Sequence, residues 1–119
     1  MIRPPDQIEL LSKMLDAAEL RHRVIAQNVA NVNTPGYRRQ EVRFEDALAQ
    51  CLERGGQHAA KGVQPTIVDA GGDAVRADGN TVDMDEEMGQ LNKNAIMYKM
   101  YAQLLANQVS SMRSAITGK

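Results

Sequence analysis

The sequence predicts a mainly α-helical chain whose long N-terminal and C-terminal helices pack as a coiled-coil-like hairpin. Between them we expect a short extended arm, a short helix and an irregular Gly-rich loop. Two observations favour this class. Both ends of the 119-residue chain carry an unbroken repeat of apolar residues spaced alternately three and four apart, as in helices that pack along one stripe. Aromatic residues form only 3% of the chain, which leaves little material for a globular core.

We expect a single domain over residues 1–119, with an N-terminal helix at 8–32, a connecting segment at 33–82 and a C-terminal helix at 83–117. The repeat places all its members on one stripe of each helix, and we name these positions the assembly seam. His22 is the one polar member. In the first helix the seam consists of Ile8, Leu11, Leu15, Ala18, His22, Ile25, Val29 and Val32.

Both ends of the first helix carry local signals. Asp6 suits the N-cap position, and Glu9 three residues later would complete a capping-box-like pair. At the other end, Thr34-Pro35-Gly36-Tyr37 stops the helix and has Pro and Gly where a type II turn requires them. Asn31 and Asn33 can satisfy the backbone groups that become free at this helix end.

The connecting segment begins with a loose alternation over residues 38–44, which predicts a short extended arm. Apolar residues at helical spacing then predict a short helix over 45–54, ended by Gly55-Gly56. From there to about residue 80 the chain is rich in Gly, Ala and Asp and has no helical period, so we expect disorder in an isolated chain. Residues 75–82 fit either a small hairpin or an irregular loop.

The last helix is predicted from Met84 to about Ile116, a length of roughly 50 Å. Asp83 suits its N-cap, and Glu86 three residues on supports that assignment. All its seam positions are apolar in a chain that is 43% hydrophobic, which argues against a chance pattern. They are Met84, Met88, Leu91, Ala95, Tyr98, Ala102, Leu105, Val109, Met112 and Ile116.

Apolar residues also occupy faces of both helices outside the seam. A helix that is apolar nearly all round is buried from several sides, and one partner helix covers only one of them. We therefore expect further chains to contact these faces. This second interface stripe comprises Leu10, Met14, Ala17 and Val24 in the first helix, and Ile96, Met97, Met100, Tyr101 and Leu104 in the last.

Charge and motif content argue against an enzyme and against nucleic-acid binding. A net charge of −1 supplies no field that attracts nucleic acid. The chain has no phosphate-binding loop, dinucleotide fingerprint or nucleophile elbow, so we expect no catalytic residue, cofactor or small-molecule substrate. His22, His58 and Cys51 lack metal-ligand spacing, and we expect His22 to be a packed or interface residue instead of a ligand.

Three arginines form a basic patch on the predicted arm. Arg38, Arg39 and Arg43 either bind an acidic partner surface or keep the arm soluble, and the second alternative is favoured for so short a charged run.

The first residues lack the apolar run and the small-residue cleavage site of a secretory signal, and no stretch reaches the roughly 20 apolar residues of a membrane span. If the chain leaves the cytoplasm, we expect another route.

Two motifs resemble a known family. At the end of the first helix, Asn28, Ala30, Asn31, Asn33, Thr34, Pro35, Gly36 and Tyr37 resemble the Asn-x-Ala-Asn-x-x-Thr-x-Gly-Tyr signature of bacterial flagellar rod and hook proteins. The second motif, residues 79–88, resembles the segment before the last helix in one type of proximal rod protein. The sister proximal type usually has Tyr-Pro-Asn-Val-Asp there and is the runner-up. A cytoplasmic helical adaptor is the alternative outside this family.

The resemblance implies a structural subunit exported through the flagellar type III apparatus without a cleaved signal peptide. It implies terminal helices that line a hollow shaft, which begins at the inner-membrane ring and export gate and continues across the periplasm. The implied partners are copies of the chain, other rod proteins and a small basal-body adaptor protein.

Overall fold

The computed structural model describes residues 4–60, 62–73 and 76–118 of the chain. Along the chain, a shorter helix and a two-stranded ribbon lie between two long terminal helices, which confirms the predicted mainly α class. The fold is elongated, with extents of 63 × 31 × 14 Å. Its elements are α1 (Pro4–Ala30), β1 (Gln40–Arg43), α2 (Glu45–Ala60), β2 (Thr66–Asp69) and α3 (Met84–Thr117).

Helices α1 and α3 pack antiparallel as the predicted hairpin. Near one end, the Asn28 Nδ2 atom lies 3.1 Å from the Glu87 carboxylate. Further along, Asn94 Nδ2 donates to the Ala18 carbonyl at 2.8 Å. At the other end, Ile8 faces the last turns of α3 across a shallow groove. The helices therefore run side by side over most of the length of α1.

Helix α1 differs from its prediction at both ends. It includes Pro4, so Asp6 lies in the first turn and is not the N-cap. At the carboxyl end the regular helix stops at Ala30, two residues early, because the chain tightens into i→i+3 bonds such as Val32 N to Val29 O at 3.2 Å. The predicted turn follows: Tyr37 N donates to Thr34 O at 3.2 Å, and Gly36 has the positive φ of 74° that a type II turn needs.

The middle of the chain is more regular than its sequence predicts. The expected arm is strand β1, which pairs antiparallel with β2 in a register that sets Gln40 opposite Asp69 and Arg43 opposite Thr66. Strand β2 lies in the tract for which we expected disorder. The composition of β2 does not predict a strand, and its hydrogen bonds to β1 hold it in an extended conformation.

Helix α2 continues past its predicted end. Gly56 departs from helical geometry (φ 67°, ψ −157°), yet the helix resumes and reaches Ala60. Gly56 thus produces a kink at the place where the sequence predicts a helix end. For residues 75–82 the sequence leaves two alternatives, a small hairpin or an irregular loop. The structure has an irregular turn over residues 76–83, with Gly79 at φ 83° and no strand among them. Val75 lies outside the described residues.

A small apolar core joins α2 to α1, on a face of α1 that α3 does not cover. Phe44, the one phenylalanine of the chain, is 1% exposed and anchors this core. It packs with Ala17 and Leu48, and half-buried Leu10 and Met14 of α1 lie against the same cluster. Helix α2 therefore covers, within the chain, part of the second interface stripe.

Helix α3 begins and ends at clear caps. The Asp83 side chain accepts from Asp85 N at 3.0 Å and from Glu86 N at 3.4 Å, which confirms the predicted N-cap. At the far end Gly118 is left-handed (φ 73°), and its N–H donates to Ser114 O. Among the residues described, no helix has the length and apolar character of a membrane span.

Candidate assembly site

Asn28 is a fully buried residue in the last turn of α1, and it uses the whole hydrogen-bonding capacity of its amide. Its Oδ1 accepts from Gln40 N at 3.0 Å and from the Tyr37 hydroxyl at 3.3 Å. Its Nδ2 donates to Gln40 O at 2.8 Å and to Glu87 Oε2 at 3.1 Å. One side chain therefore ties α1 to the turn, to β1 and to α3.

A buried ion pair lies beside Asn28. Arg39 Nε donates to Glu87 Oε1 at 2.7 Å, and the Glu87 side chain is 0% exposed. Burial alone would lower the pKa of Arg39, but the hydrogen bond and charge of Glu87, with the charges of Glu86 and Glu41, raise it overall. Burial, with a smaller contribution from Glu87, also raises the pKa of the Tyr37 phenol. The guanidinium stays charged and the phenol stays protonated at neutral pH.

This pair corrects the favoured interpretation of the basic patch. Arg39 is buried against Glu87 and does not solvate the arm. Arg38 and Arg43 do lie at the surface, where Arg38 pairs with Asp69 at 2.6 Å and Arg43 pairs with Glu41 at 2.8 Å. Arg39 also lies 3.5 Å from Glu41, so each of the three arginines pairs with a carboxylate and they form no continuous basic surface.

Asn80, a residue of the second motif, caps the end of α1. Its Nδ2 donates to the carbonyls of Asn31, Val32 and Thr34 at 2.9, 3.1 and 2.8 Å. Its Oδ1 accepts from Val82 N at 2.7 Å. The Arg76 guanidinium also donates to the Val32 carbonyl. The cap of the first helix therefore comes from the segment that leads into the last helix.

The backbone holds the same two segments together. Gly36 N donates to Asp78 O at 2.8 Å, and Thr81 N donates to Tyr37 O at 3.1 Å. A Cβ atom on Gly79 would lie 3.5 Å from the Gly36 Cα atom, so the two glycines pack closely. We name the contact between the two sequence motifs the motif junction, formed by Asn28, Tyr37, Arg39, Asn80, Thr81 and Glu87.

The remaining residues of the first motif lie at the edge of this junction. Asn31 donates from Nδ2 to Gln27 O at 2.8 Å, and its Oδ1 accepts from the Thr34 hydroxyl at 3.0 Å. This agrees with the helix-end role expected of Asn31. The side of the turn that faces solvent is formed by Ala30, Asn33, Thr34, Pro35 and Gly36.

The assembly seam is only partly covered within the chain. On α1, Ala18 and Ile25 are buried and His22 is exposed, while the remaining seam positions are half-buried: Ile8, Leu11, Leu15, Val29 and Val32. On α3, four seam positions are half-buried, namely Leu91, Ala102, Leu105 and Met112. The six others are exposed: Met84, Met88, Ala95, Tyr98, Val109 and Ile116.

The seam of α3 is exposed because the helix is rotated about its own axis, so that a neighbouring stripe and not the seam faces α1. Its buried residues are Glu87, Asn94 and Tyr101, which recur every seven positions and face α1. Two of them are polar, so a count of apolar periodicity does not detect them. Burial, with a smaller contribution from Glu45, raises the pKa of Tyr101, while Arg21 opposes the shift. The outcome is an α1–α3 contact with a largely polar centre and an apolar stripe turned partly to solvent.

Like the assembly seam, the second interface stripe is covered within the chain at some positions and exposed at others. Val24 and Tyr101 are buried, and Met97 is half-buried. The far side of α3 is different, because Ile96, Met100 and Leu104 are 68%, 45% and 45% exposed. We name these three residues the outer ridge. At about 100° per residue, the outer ridge lies roughly half a turn from the exposed seam residues Met88, Tyr98 and Val109, which we name the seam face.

No group of three or more His, Cys, Asp or Glu side chains suited to a metal ion occurs in the described part of the chain. His22 is exposed and lines a groove beside α3. His58 has a side chain outside the described set. The expectation that His22 is an interface residue therefore remains a prediction.

Known proteins share this sequence pattern. The profile of the family described as flagella basal body rod protein matches residues 15–38, the second half of α1 and the turn. Flagellar basal body rod protein FlgB of Borrelia hermsii is 31% identical over 127 aligned residues, which cover 92% of this chain and 94% of the relative.

Two further relatives carry the same description. FlgB of Bacillus subtilis (strain 168) is 28% identical over 120 residues, with 93% of both chains covered. FlgB of Escherichia coli (strain K12) is 31% identical over 113 residues, with 81% of this chain and 82% of the relative covered. These relatives favour the predicted rod type over its sister. The chain therefore belongs to the FlgB family of flagellar basal body rod proteins.

Proposed function

We propose that this chain is a structural subunit of the proximal rod of the flagellar basal body, where it assembles with other rod proteins into a hollow drive shaft. One observation carries the proposal: α3 keeps apolar side chains exposed on two opposite sides after the fold has closed. The seam face and the outer ridge cannot both be covered by one neighbour, because about half a helix turn separates them. A subunit within a shaft has neighbours on several sides.

The motif junction supports a structural role. Its charged and amide side chains are buried, and they bond to one another and to backbone carbonyls in the interior. Buried polar networks of this kind fix one arrangement of the elements that they join. We infer that the junction holds α1 and α3 in the orientation that presents both apolar faces, and we assign it no catalytic role.

The proposed partners are copies of the chain, other rod proteins, a small basal-body adaptor protein, the inner-membrane ring and the export gate. The proposed place is the periplasmic rod, which the subunit reaches by type III export without a cleaved signal peptide. The seam residues and the exposed part of the second interface stripe are the proposed contacts with these partners.

Electron microscopy of purified basal bodies tests this function. The comparison is between a strain that lacks the chain and the same strain with the chain restored on a plasmid. We expect membrane rings without a rod in the first and complete rods in the second. Intact rods and filaments in the deletion strain would refute the assignment and favour the cytoplasmic adaptor.

A further inference from the structure

A groove runs along the seam face where α1 and α3 meet. It has a volume of about 400 Å³, and its walls are Glu19 and His22 on one side and Tyr98 and Lys99 on the other. The alanines Ala18 and Ala95 lie between these longer side chains. Two small residues between larger ones leave a depression that side chains of another helix can enter.

The outer ridge has the form that such a depression accepts. Ile96, Met100 and Leu104 follow one another at i, i+4 and i+8, which aligns them as one ridge along α3. Rows with this spacing are those that interdigitate in the most frequent class of helix packing. All three side chains are exposed, so the folded chain already presents the ridge to a partner.

Charge favours the same pairing. Lys93 is exposed one turn before Ile96, at the end of the ridge, and it has no ion pair within the described part of the chain. Glu19 lies on the groove wall with its side chain 56% exposed. Its bond to Arg23 is an exposed i,i+4 pair, which contributes little and can be shared or exchanged.

The positions of ridge and groove determine the kind of assembly. They lie on opposite sides of α3, so a copy that offers its ridge to one neighbour still has its groove free for another. Such a contact is heterologous, and it extends from copy to copy unless a rotation closes it into a ring. A self-complementary dimer would require both features on one patch.

We propose that the outer ridge of one copy inserts into the seam-face groove of the next, with Lys93 of the first beside Glu19 of the second. This inference rests on the proposed function and adds to it a specific head-to-tail contact between copies. Because Ala95 lies in the groove and Met100 in the middle of the ridge, these two positions become neighbours across the contact.

Disulfide cross-linking in purified basal bodies tests the contact. In a Cys51→Ser background, Ala95→Cys and Met100→Cys are introduced together into one full-length chain, and the basal bodies are mildly oxidised. We expect a ladder of dimers, trimers and longer species, because each copy links to two neighbours. Each single-cysteine chain should remain largely monomeric, since it lacks the matching thiol.

Charge reversal tests the register of the pair. In the double-cysteine chain, we expect Lys93→Glu or Glu19→Lys alone to lower the yield of cross-linked multimers about twofold to fivefold, the range open to an exposed ion pair. The two reversals together should restore the yield. Failure of the double reversal to restore it would overturn the pairing of Lys93 with Glu19.

A steric block provides an independent readout. Ala95→Arg fills the groove at an exposed position, and we expect loss of the rod, whereas Ala49→Arg on the exposed surface of α2 should leave the rod intact. Normal rods with Ala95→Arg, no ladder in assembled rods, or dimers formed equally by each single-cysteine chain would each overturn the contact. If the deletion strain still lacks rods in those cases, the subunit role stands and only the ridge-and-groove contact fails.

Discussion

Asn80 concentrates four hydrogen bonds in one fully buried side chain at the centre of the motif junction. The end of a helix leaves carbonyls without intrahelical partners, and their burial without other donors is costly. Asn80 supplies one donor group to three carbonyls of the turn in which α1 ends, while its oxygen fixes the backbone just before α3. The first helix therefore has a C-cap that becomes available only when the start of α3 is in place.

We expect Asn80→Ala to lower the free energy of unfolding by about 1–3 kcal/mol, because the buried Val82 N–H loses its acceptor and three carbonyls lose a shared donor. Asn80→Asp should cost at least as much, since a carboxylate oxygen would then face three carbonyl oxygens. Asn33→Ala, at an exposed position of the first motif, is the control. Urea titrations followed by circular dichroism, in trimethylamine N-oxide to favour the compact chain, measure the difference. Equal midpoints for Asn80→Ala and Asn33→Ala would contradict the capping role.

The buried ion pair between Arg39 and Glu87 is the second residue-scale feature on which the stability of the fold depends. Glu87 is 0% exposed, and Asn28 and Arg39 together occupy both of its oxygens. A buried ion pair costs desolvation, so its presence does not by itself imply a large net stabilisation. Removal of Glu87 is different, because the buried Arg39 charge then keeps only the longer contact with Glu41, at 3.5 Å.

We therefore expect Glu87→Gln to destabilise the fold by about 3–5 kcal/mol, as found when one member of a buried pair is removed. The matched control is Glu86→Gln, one residue away and exposed, which should change stability by less than about 0.5 kcal/mol. The double replacement Arg39→Met with Glu87→Leu should recover much of the loss, since no buried charge remains. The same urea titration measures all three; a Glu87→Gln chain as stable as Glu86→Gln would exclude the buried-charge argument.

At the scale of elements, the surface carboxylate of Asp69 stabilises the end of the β1–β2 ribbon where β1 begins and β2 ends. Arg38 donates to Asp69, and Gly71 N donates to the same side chain at 2.8 Å. These bonds, with the first the larger cause, hold the pKa of Asp69 below its ordinary value of 3.8. A carboxylate whose pKa is lower in the folded state stabilises that state above the unfolded pKa and loses the effect as pH falls through the folded value.

We expect the end of the ribbon to loosen only below about pH 3.8, with no change at higher pH from this group. The titration of the Gly71 amide in nuclear magnetic resonance spectra should show a midpoint below 3.8 in the parent chain. Arg38→Ala should move the midpoint upward, toward the ordinary value. Asp69→Asn should abolish the titration, and persistence of the transition in Asp69→Asn would assign it to another group.

The elements also show which local signals can be interpreted from sequence. The N-cap at Asp83 and the turn at Pro35-Gly36 depend on neighbouring residues alone, and both agree with their predictions. The order of β2 depends on pairing with β1, some thirty residues earlier in the chain, and the sequence of β2 does not predict it. The sequence predicts a helix end at Gly55-Gly56 where the structure has a kink at Gly56, because glycine favours both.

At the scale of the whole molecule, the fold is asymmetric around α3. One side of α3 contacts α1 through Glu87, Asn94 and Tyr101, and the other sides expose the seam face and the outer ridge. Asn94 Oδ1 has no hydrogen-bond partner within the described chain although it is buried. Large exposed apolar faces and a partly unsatisfied polar interface both weaken an isolated subunit.

We therefore expect the isolated chain to be poorly helical at about micromolar concentration and to gain helix as concentration rises, because association stabilises the folded state by mass action. Circular dichroism at 222 nm across a dilution series measures this dependence. A control chain with Ile96→Gln, Met100→Gln and Leu104→Gln should show a much weaker dependence, since its outer ridge is lost. Full helicity of the parent chain at every concentration would instead favour a self-sufficient folded protein.

By itself, the sequence determined the two long helices, the cap of α3, the turn after α1 and the family, because each of these depends on spacing or on residues close together in the chain. Only the tertiary structure decided which side of α3 faces α1, that Arg39 is buried, and that Asn80 caps α1. These three features join residues about fifty positions or more apart, such as Arg39 with Glu87 and Asn31 with Asn80. Their partners are chosen by packing in three dimensions, where a buried polar group must find a bond wherever the chain supplies one.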